Sequence, residues 1–341
     1  MEQSFGFVGL KAFDNDKELI KFLPLVSGSQ NYQIFVLLIA VVYGGFLTIL
    51  PLDLFTDREN YLNYAENSFM IFERHQDNGL IPLLANEPLW LLINACLANW
   101  LPPSLVLRCI IFISATLVAW LVLIHHPKHF VWLLILLFFP AVLKNHIIHL
   151  RQGLAIAVFL IGWFSKKPFV RLTIIATTPF IHASFLFILG ILILSRSMTY
   201  FRFGPDLRTI IVASLSLGMG LVFARLATLV GARQSEYNDF SLTNVSGLGF
   251  LFWLIILFVW LLQGRNFLRK YAFESGIIIL YLGTYWLINV TARIFESGLL
   301  LILLASLNLT GWRRQAFLTF FMALLIMQWF VRLGEPVFGF G

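Results

Sequence analysis

Residues 133–139 read Leu-Leu-Ile-Leu-Leu-Phe-Phe, and residues 299–304 read Leu-Leu-Leu-Ile-Leu-Leu. Neither run alternates. A strand of a membrane barrel turns every second side chain to its lumen, so continuous apolar runs exclude a barrel. The rest of the chain agrees with these two stretches. Over 341 residues, 59% are hydrophobic and only 12% are charged, where a soluble domain carries about 25% charge. A water-soluble globule, a disordered chain and a coiled coil are excluded together. The remaining class is all-α, a polytopic transmembrane helical bundle, because lipid leaves backbone polar groups unsatisfied in anything but helices and closed barrels.

Apolar runs occupy 34–50, 88–100, 105–124, 130–143, 153–164, 169–178, 183–194, 209–224, 248–262, 275–291, 297–309 and 316–331. They predict about 11 spans plus one re-entrant or interfacial helix, in a single transmembrane domain over 34–333. Residues 1–33 form a separate N-terminal segment with no signal-length apolar core. The exceptional run is 88–100. It is short, starts at Glu87-Pro88 and stops before Pro102-Pro103, and runs of that length are re-entrant more often than spanning. Residues 51–103 then make a loop and re-entrant helix on the outer side. Cys96 and Cys109 both lie in apolar stretches and read as buried thiols, not a disulfide.

Charge tests this layout, since Lys and Arg concentrate in short cytoplasmic loops. With the N-terminus inside and 88–100 returning to its own side, the inside segments are 1–33, 125–129, 165–171, 195–208, 263–274 and 310–315. They hold fifteen of the 24 Lys and Arg but six of the 17 acids. A full crossing at 88–100 would send Lys166-Lys167 and the Arg265 to Lys270 cluster outward. The same rule splits 169–194 into two short passes at Pro179. The basic excess thus needs membrane orientation, not nucleic acid, to explain it.

Arg151, Arg225, Arg233 and Arg293 remain on the depleted outer side, at or near helix ends. His146, His149, His182, Tyr237, Glu296 and the loop with Asp57, Tyr61 and Glu87 share that level. Ionisable groups at membrane depth are functional candidates by default. Four arginines facing one cavity suit a phosphate or diphosphate, because guanidinium stays charged and presents a planar fork. Asp57, Glu87 and His182 are the candidate general bases. Each also has a structural reading: Asp57 can pair or cap, Glu87 can sit at a helix start, and His182 can cap backbone groups freed at Pro179. No metal is expected: His125, His126 and His129 are interrupted by Pro127, and His146 and His149 have no third ligand close in sequence.

Asp57-x3-Tyr61, Glu87-Pro88-Leu89, Arg151-Gln152-Gly153-Leu154-Ala155 and His182-Ala183-Ser184, in this order over about residues 31–310, resemble the EpsG family of membrane polymerases, relatives of the Wzy O-antigen polymerases. Arg293 matches more loosely. The family continues from such an arginine toward a tyrosine, and here the chain reads Arg293-Ile294-Phe295-Glu296.

The resemblance implies a GT-C-like fold and a metal-independent glycosyltransferase without cofactors. It would join undecaprenyl-diphosphate-linked oligosaccharide repeat units at the periplasmic face of a bacterial inner membrane, in contact with membrane lipids and with a chain-length regulator protein as a further partner. Carried over, Asp57, Glu87 and His182 are catalytic candidates. Tyr61, Arg151, Gln152, Arg225, Arg233, Tyr237 and Arg293 are substrate-binding candidates. A flippase for lipid-linked sugars and a membrane O-acyltransferase are the alternatives. The first needs a broken-helix cavity, and the second needs a histidine in the bilayer.

Overall fold

The structure is a computed structural model that describes residues 30–229, 247–288 and 290–340, without the side chains of 223–229. The described residues are predominantly helical, with no strand. Among them, four helices are long and apolar enough to cross a membrane, or five if one bent pair counts as a span, and five apolar helices are shorter. The membrane-bundle class therefore stands at this coarser level. The N-terminal segment 1–33 falls almost wholly outside the described residues.

The first helix, α1 (Gln30–Ile49), buries Val36, Ala40, Tyr43, Gly44 and Leu47. That spacing of three and four is one helix face. Leu38, Val42 and Ile49 look away from the protein, as a lipid-facing side does. The buried face packs on α5 (Pro103–His125) so closely that a Cβ on Gly44 would stand 2.1 Å from the Thr116 hydroxyl. Tyr32 near the start of α1 donates to the Leu123 carbonyl near the end of α5 (3.1 Å). Arg108 at the start of α5 donates to the Thr48 carbonyl at the end of α1. The two helices are therefore antiparallel, and residues 50–102 leave and rejoin the pair at one end. This is the arrangement that the re-entrant reading of 88–100 requires.

The linking segment is not the loop that its polarity suggests. Residues 58–77 form α2 (Arg58–Asp77), which buries Arg58, Tyr61, Ala65 and Ser68. Their spacing of three, four and three makes a stripe against the next elements. A short α3 (Leu80–Ala85) and then α4 (Pro88–Ala98) follow. Cys96 in α4 is exposed and Cys109 half-buried, both as free thiols; only the absence of a disulfide matches the expectation.

The run 130–143, expected as one helix, is broken. α6 (Phe130–Leu137) and α7 (Pro140–Ile147) meet at 68°. Pro140 has no N–H for the ladder and forces Phe139 to extended geometry. The freed carbonyls find donors elsewhere: Tyr43 hydroxyl bonds Leu137 (2.9 Å) and Trp329 indole bonds Phe138 (3.1 Å). The break expected near Pro179 is present. α8 (Leu150–Phe164) and α9 (Pro168–Thr177) lead to a single 3-10 turn, Thr178–Phe180, and a non-helical link carries the chain to α10 (Phe185–Tyr200).

The second half adds α11 (Pro205–Leu229), α12 (Leu248–Gln263), α13 (Arg265–Lys270), α14 (Ala272–Thr284), α15 (Thr291–Ser306) and α16 (Gly311–Arg332). The run 275–291 is also interrupted: α14 stops at Thr284, and the Thr291 hydroxyl donates back to the Thr284 carbonyl (3.0 Å). α15 begins there and buries nearly its whole surface.

Candidate active site

Glu87 lies immediately before α4, outside the candidate spans, with a left-handed backbone (φ 59°). Few non-glycine residues adopt that geometry, and in ordered proteins it gathers where a side chain must be aimed. Here the carboxylate does not cap its own helix. It is 5% exposed and spans three other groups. Oε2 receives Arg151 in a close ion pair. Oε1 meets His182 Nδ1 at 2.8 Å and receives the Ala183 backbone N–H at 2.9 Å. Burial by itself pushes the Glu87 carboxyl up, but Arg151, His182 and the Ala183 amide together hold it down at about 2.

Three distant segments converge through these bonds, each for a local reason. Arg151 sits in the first turn of α8, where the Arg-Gln-Gly sequence brings it against α7. A Cβ on Gly153 would stand 2.1 Å from the Asn145 carbonyl oxygen, so only glycine allows this approach. The Arg151 guanidinium also faces the rings of Tyr61 and Tyr64, 5.9 and 5.4 Å from their centres. Arg–aromatic contacts of this kind stabilise a cation that burial would otherwise penalise. His182 sits in the link after Thr178–Phe180, where the backbone is not helical and the ring can reach across to Glu87. Gln152 Nε2 donates to the Arg293 carbonyl (2.6 Å) and to Ser297 Oγ (3.1 Å), which ties α8 to α15. Ser184 and Ser297 hydroxyls share a bond of 2.7 Å, which ties the His182 link to the same helix.

A second group adjoins the first. His149, buried between α7 and α8, lies within electrostatic reach of Lys144, Arg293, His182 and Arg151. Its Nε2 is buried and has no partner among the described residues. Lys144 Nζ pairs with Glu296 Oε1 at 3.0 Å, and Arg293 stands one turn before Glu296 on α15. Arg151 and His182 contact the Glu87 carboxylate, and His149 is in electrostatic reach of both and of Lys144 and Arg293.

Of the residues singled out from sequence, Tyr61, Glu87, Arg151, Gln152, His182 and Arg293 are brought together. Asp57 stands at the start of α2, also left-handed (φ 66°); its carboxylate accepts a 3.4 Å bond from Asn60, and its carbonyl accepts the Tyr61 N–H within the helix. Arg225 is on α11, but its side chain is outside the description. Arg233 and Tyr237 lie outside the described residues. Lys144 was not a sequence candidate. Its signal was a lone lysine ending an apolar run, and the Pro140 break that swings it inward is what gives it meaning. Glu296 and His149 were noted only as neighbours. Among the described residues, no group of three or more His, Cys, Asp or Glu side chains is arranged to hold a metal ion. His125 instead stacks on Phe164 (3.9 Å), and His146 Nδ1 contacts Ser114 Oγ (3.3 Å).

No family model, curated protein or solved structure matches the chain.

Proposed function

We propose that this chain is a glycosyltransferase of the EpsG and Wzy type. It would polymerise undecaprenyl-diphosphate-linked oligosaccharide repeat units at the outer face of the bacterial inner membrane, in a GT-C-like bundle of about 11 crossings. Shorter apolar helices such as Leu150–Phe164 and Phe185–Tyr200 would add crossings to the four or five long ones. The observation that carries the reading is the Glu87 carboxylate held between Arg151 and His182, with Lys144 and Arg293 near the adjoining His149.

The chemistry follows from what each group can do. An ionised carboxylate only accepts hydrogen bonds. His182 therefore donates from Nδ1 to Glu87, and the neutral imidazole in that orientation would offer the Nε2 lone pair. A carboxylate that fixes the tautomer and orientation of an imidazole is the arrangement of a general base. Glu87, with both oxygens occupied, is a positioning residue, which leaves His182 as the base among the sequence candidates.

The acceptor sugar hydroxyl gives its proton to His182 Nε2 as its oxygen bonds the donor anomeric carbon. The bond from that carbon to the carrier diphosphate breaks, and the diphosphate leaves with the electron pair. Arg151, Arg293 and Lys144 stabilise the charge that develops there, and the loss of one such group typically costs about 100- to 1000-fold in rate.

Purified protein incubated with a lipid-linked repeat unit tests the reading. Lengthened glycan on the carrier lipid is expected. Unit movement across a liposome bilayer without lengthening would favour a flippase, and label transfer from an acyl donor would favour an O-acyltransferase.

A further inference from the structure

The end of the bundle opposite Glu87 carries a cleft that the proposed reaction does not use. The first turns of α11 and α14 lie side by side there. A shallow, half-open cleft between them is lined by Pro205, Arg208 and Thr209 on one side and by Ala272, Ser275 and Gly276 on the other, over an apolar floor that includes Val212 and Ile279. Arg208 is 7% exposed. Its Nε donates to the Phe203 carbonyl at 2.9 Å, while Nη1 is buried with no partner among the described residues. Its electrostatic neighbour is another cation, Arg269.

The nearby acids do not answer this charge. Asp206 pairs with Arg265 at 2.5 Å, and neither Asp206 nor Glu274 lines the cleft. A buried cation without a counter-charge is costly. The positive ends of the two helix dipoles add to it. An anion would answer this charge, and guanidinium selects phosphoryl oxygens.

The surroundings say which phosphate. Leu207 and Ile210 flank Arg208 and are exposed, and they belong to Pro205–Val222, one of the helices apolar enough to cross a membrane. The cleft thus opens where an apolar helix surface meets a basic neighbour, Arg269, on the α13 segment Arg265–Lys270. Basic pockets between helices at that level suit phospholipid headgroups. We infer that the cleft between the first turns of α11 and α14 binds the phosphate of an anionic phospholipid, with Arg208 as its principal ligand.

Native mass spectrometry of the full chain in detergent, titrated with phosphatidylglycerol or phosphatidylcholine, reads this directly. Retention of phosphatidylglycerol over phosphatidylcholine is expected. It should weaken at least about tenfold in Arg208→Gln and remain unchanged in Arg171→Gln on α9, whose guanidinium bonds the Ser165 carbonyl and does not line the cleft. Thr209→Glu keeps Arg208 and its bond to Phe203 but adds a negative charge to the cleft, and it should weaken retention similarly if Arg208→Gln does not fold. Equal retention by the wild type and these variants would overturn the inference. So would thermal stabilisation by inorganic phosphate with no retention of phosphatidylglycerol, which would assign the cleft to free phosphate.

Discussion

Replacing Glu87 by Gln keeps the shape of the side chain and removes its charge, leaving Arg151 without its counter-ion. Breaking a buried ion pair from one side typically costs about 3–5 kcal/mol. The lower end applies here, because a fifth of the Arg151 side chain is exposed and it keeps the faces of Tyr61 and Tyr64. Linkage gives a similar figure: a carboxyl lowered from 4.5 to about 2 contributes about 3 kcal/mol at neutral pH. Arg151→Met strands Glu87 in the same way and should cost a similar amount. Glu87→Gln combined with Arg151→Met removes both charges, so its loss should stay near that of one single variant. The coupling should then be about 2–3 kcal/mol.

Reversible unfolding of the four proteins in detergent measures this cycle. Losses that add to within about 0.5 kcal/mol would show that the two groups act independently and would refute the argument. The sign of the pH dependence gives a second check. Because folding lowers the Glu87 pKa, its stabilisation is complete above pH 4.5 and is lost as pH falls toward about 2. Glu87→Gln should lack that acid limb.

Gly153→Ala places a methyl 2.1 Å from the Asn145 carbonyl, and backbone cannot yield cheaply. A loss of about 1–3 kcal/mol should appear as a lower unfolding midpoint, with weakened elongation because Arg151 shifts with its helix. Tyr43→Phe removes the donor to the Leu137 carbonyl at the α6–α7 bend and should cost about 1 kcal/mol by the same measurement, without loss of elongation. If charge neutralisation falls to Arg151, Arg293 and Lys144, elongation should survive a chelator, as a glycan ladder made with and without one would reveal.

The chain's class was legible because composition and continuous apolar runs leave few options. The break at Pro179 was legible because proline acts locally. The α6–α7 bend was not foreseen, although Pro140 causes it, since the run was read by hydropathy alone. α2 escaped for the opposite reason: its helix depends on one buried stripe, and its other faces are polar enough to resemble a loop. At the site, Glu87, Arg151 and His182 were each visible as costly polar groups near helix ends. Their mutual bonding was not, because it depends on how close α8 comes to α7 and on the angle of the link after Thr178–Phe180. Lys144 and Glu296 escaped for the same reason, each meaningful only beside the other.

The most direct test is elongation of a purified lipid-linked repeat unit by the wild type and by His182→Gln, which leaves the Glu87–Arg151 ion pair in place. The wild type should lengthen the glycan, and the variant, folded to the same extent, should fall by at least about 100-fold. A wild type that never lengthens it, or a variant that does so equally well, would contradict the account.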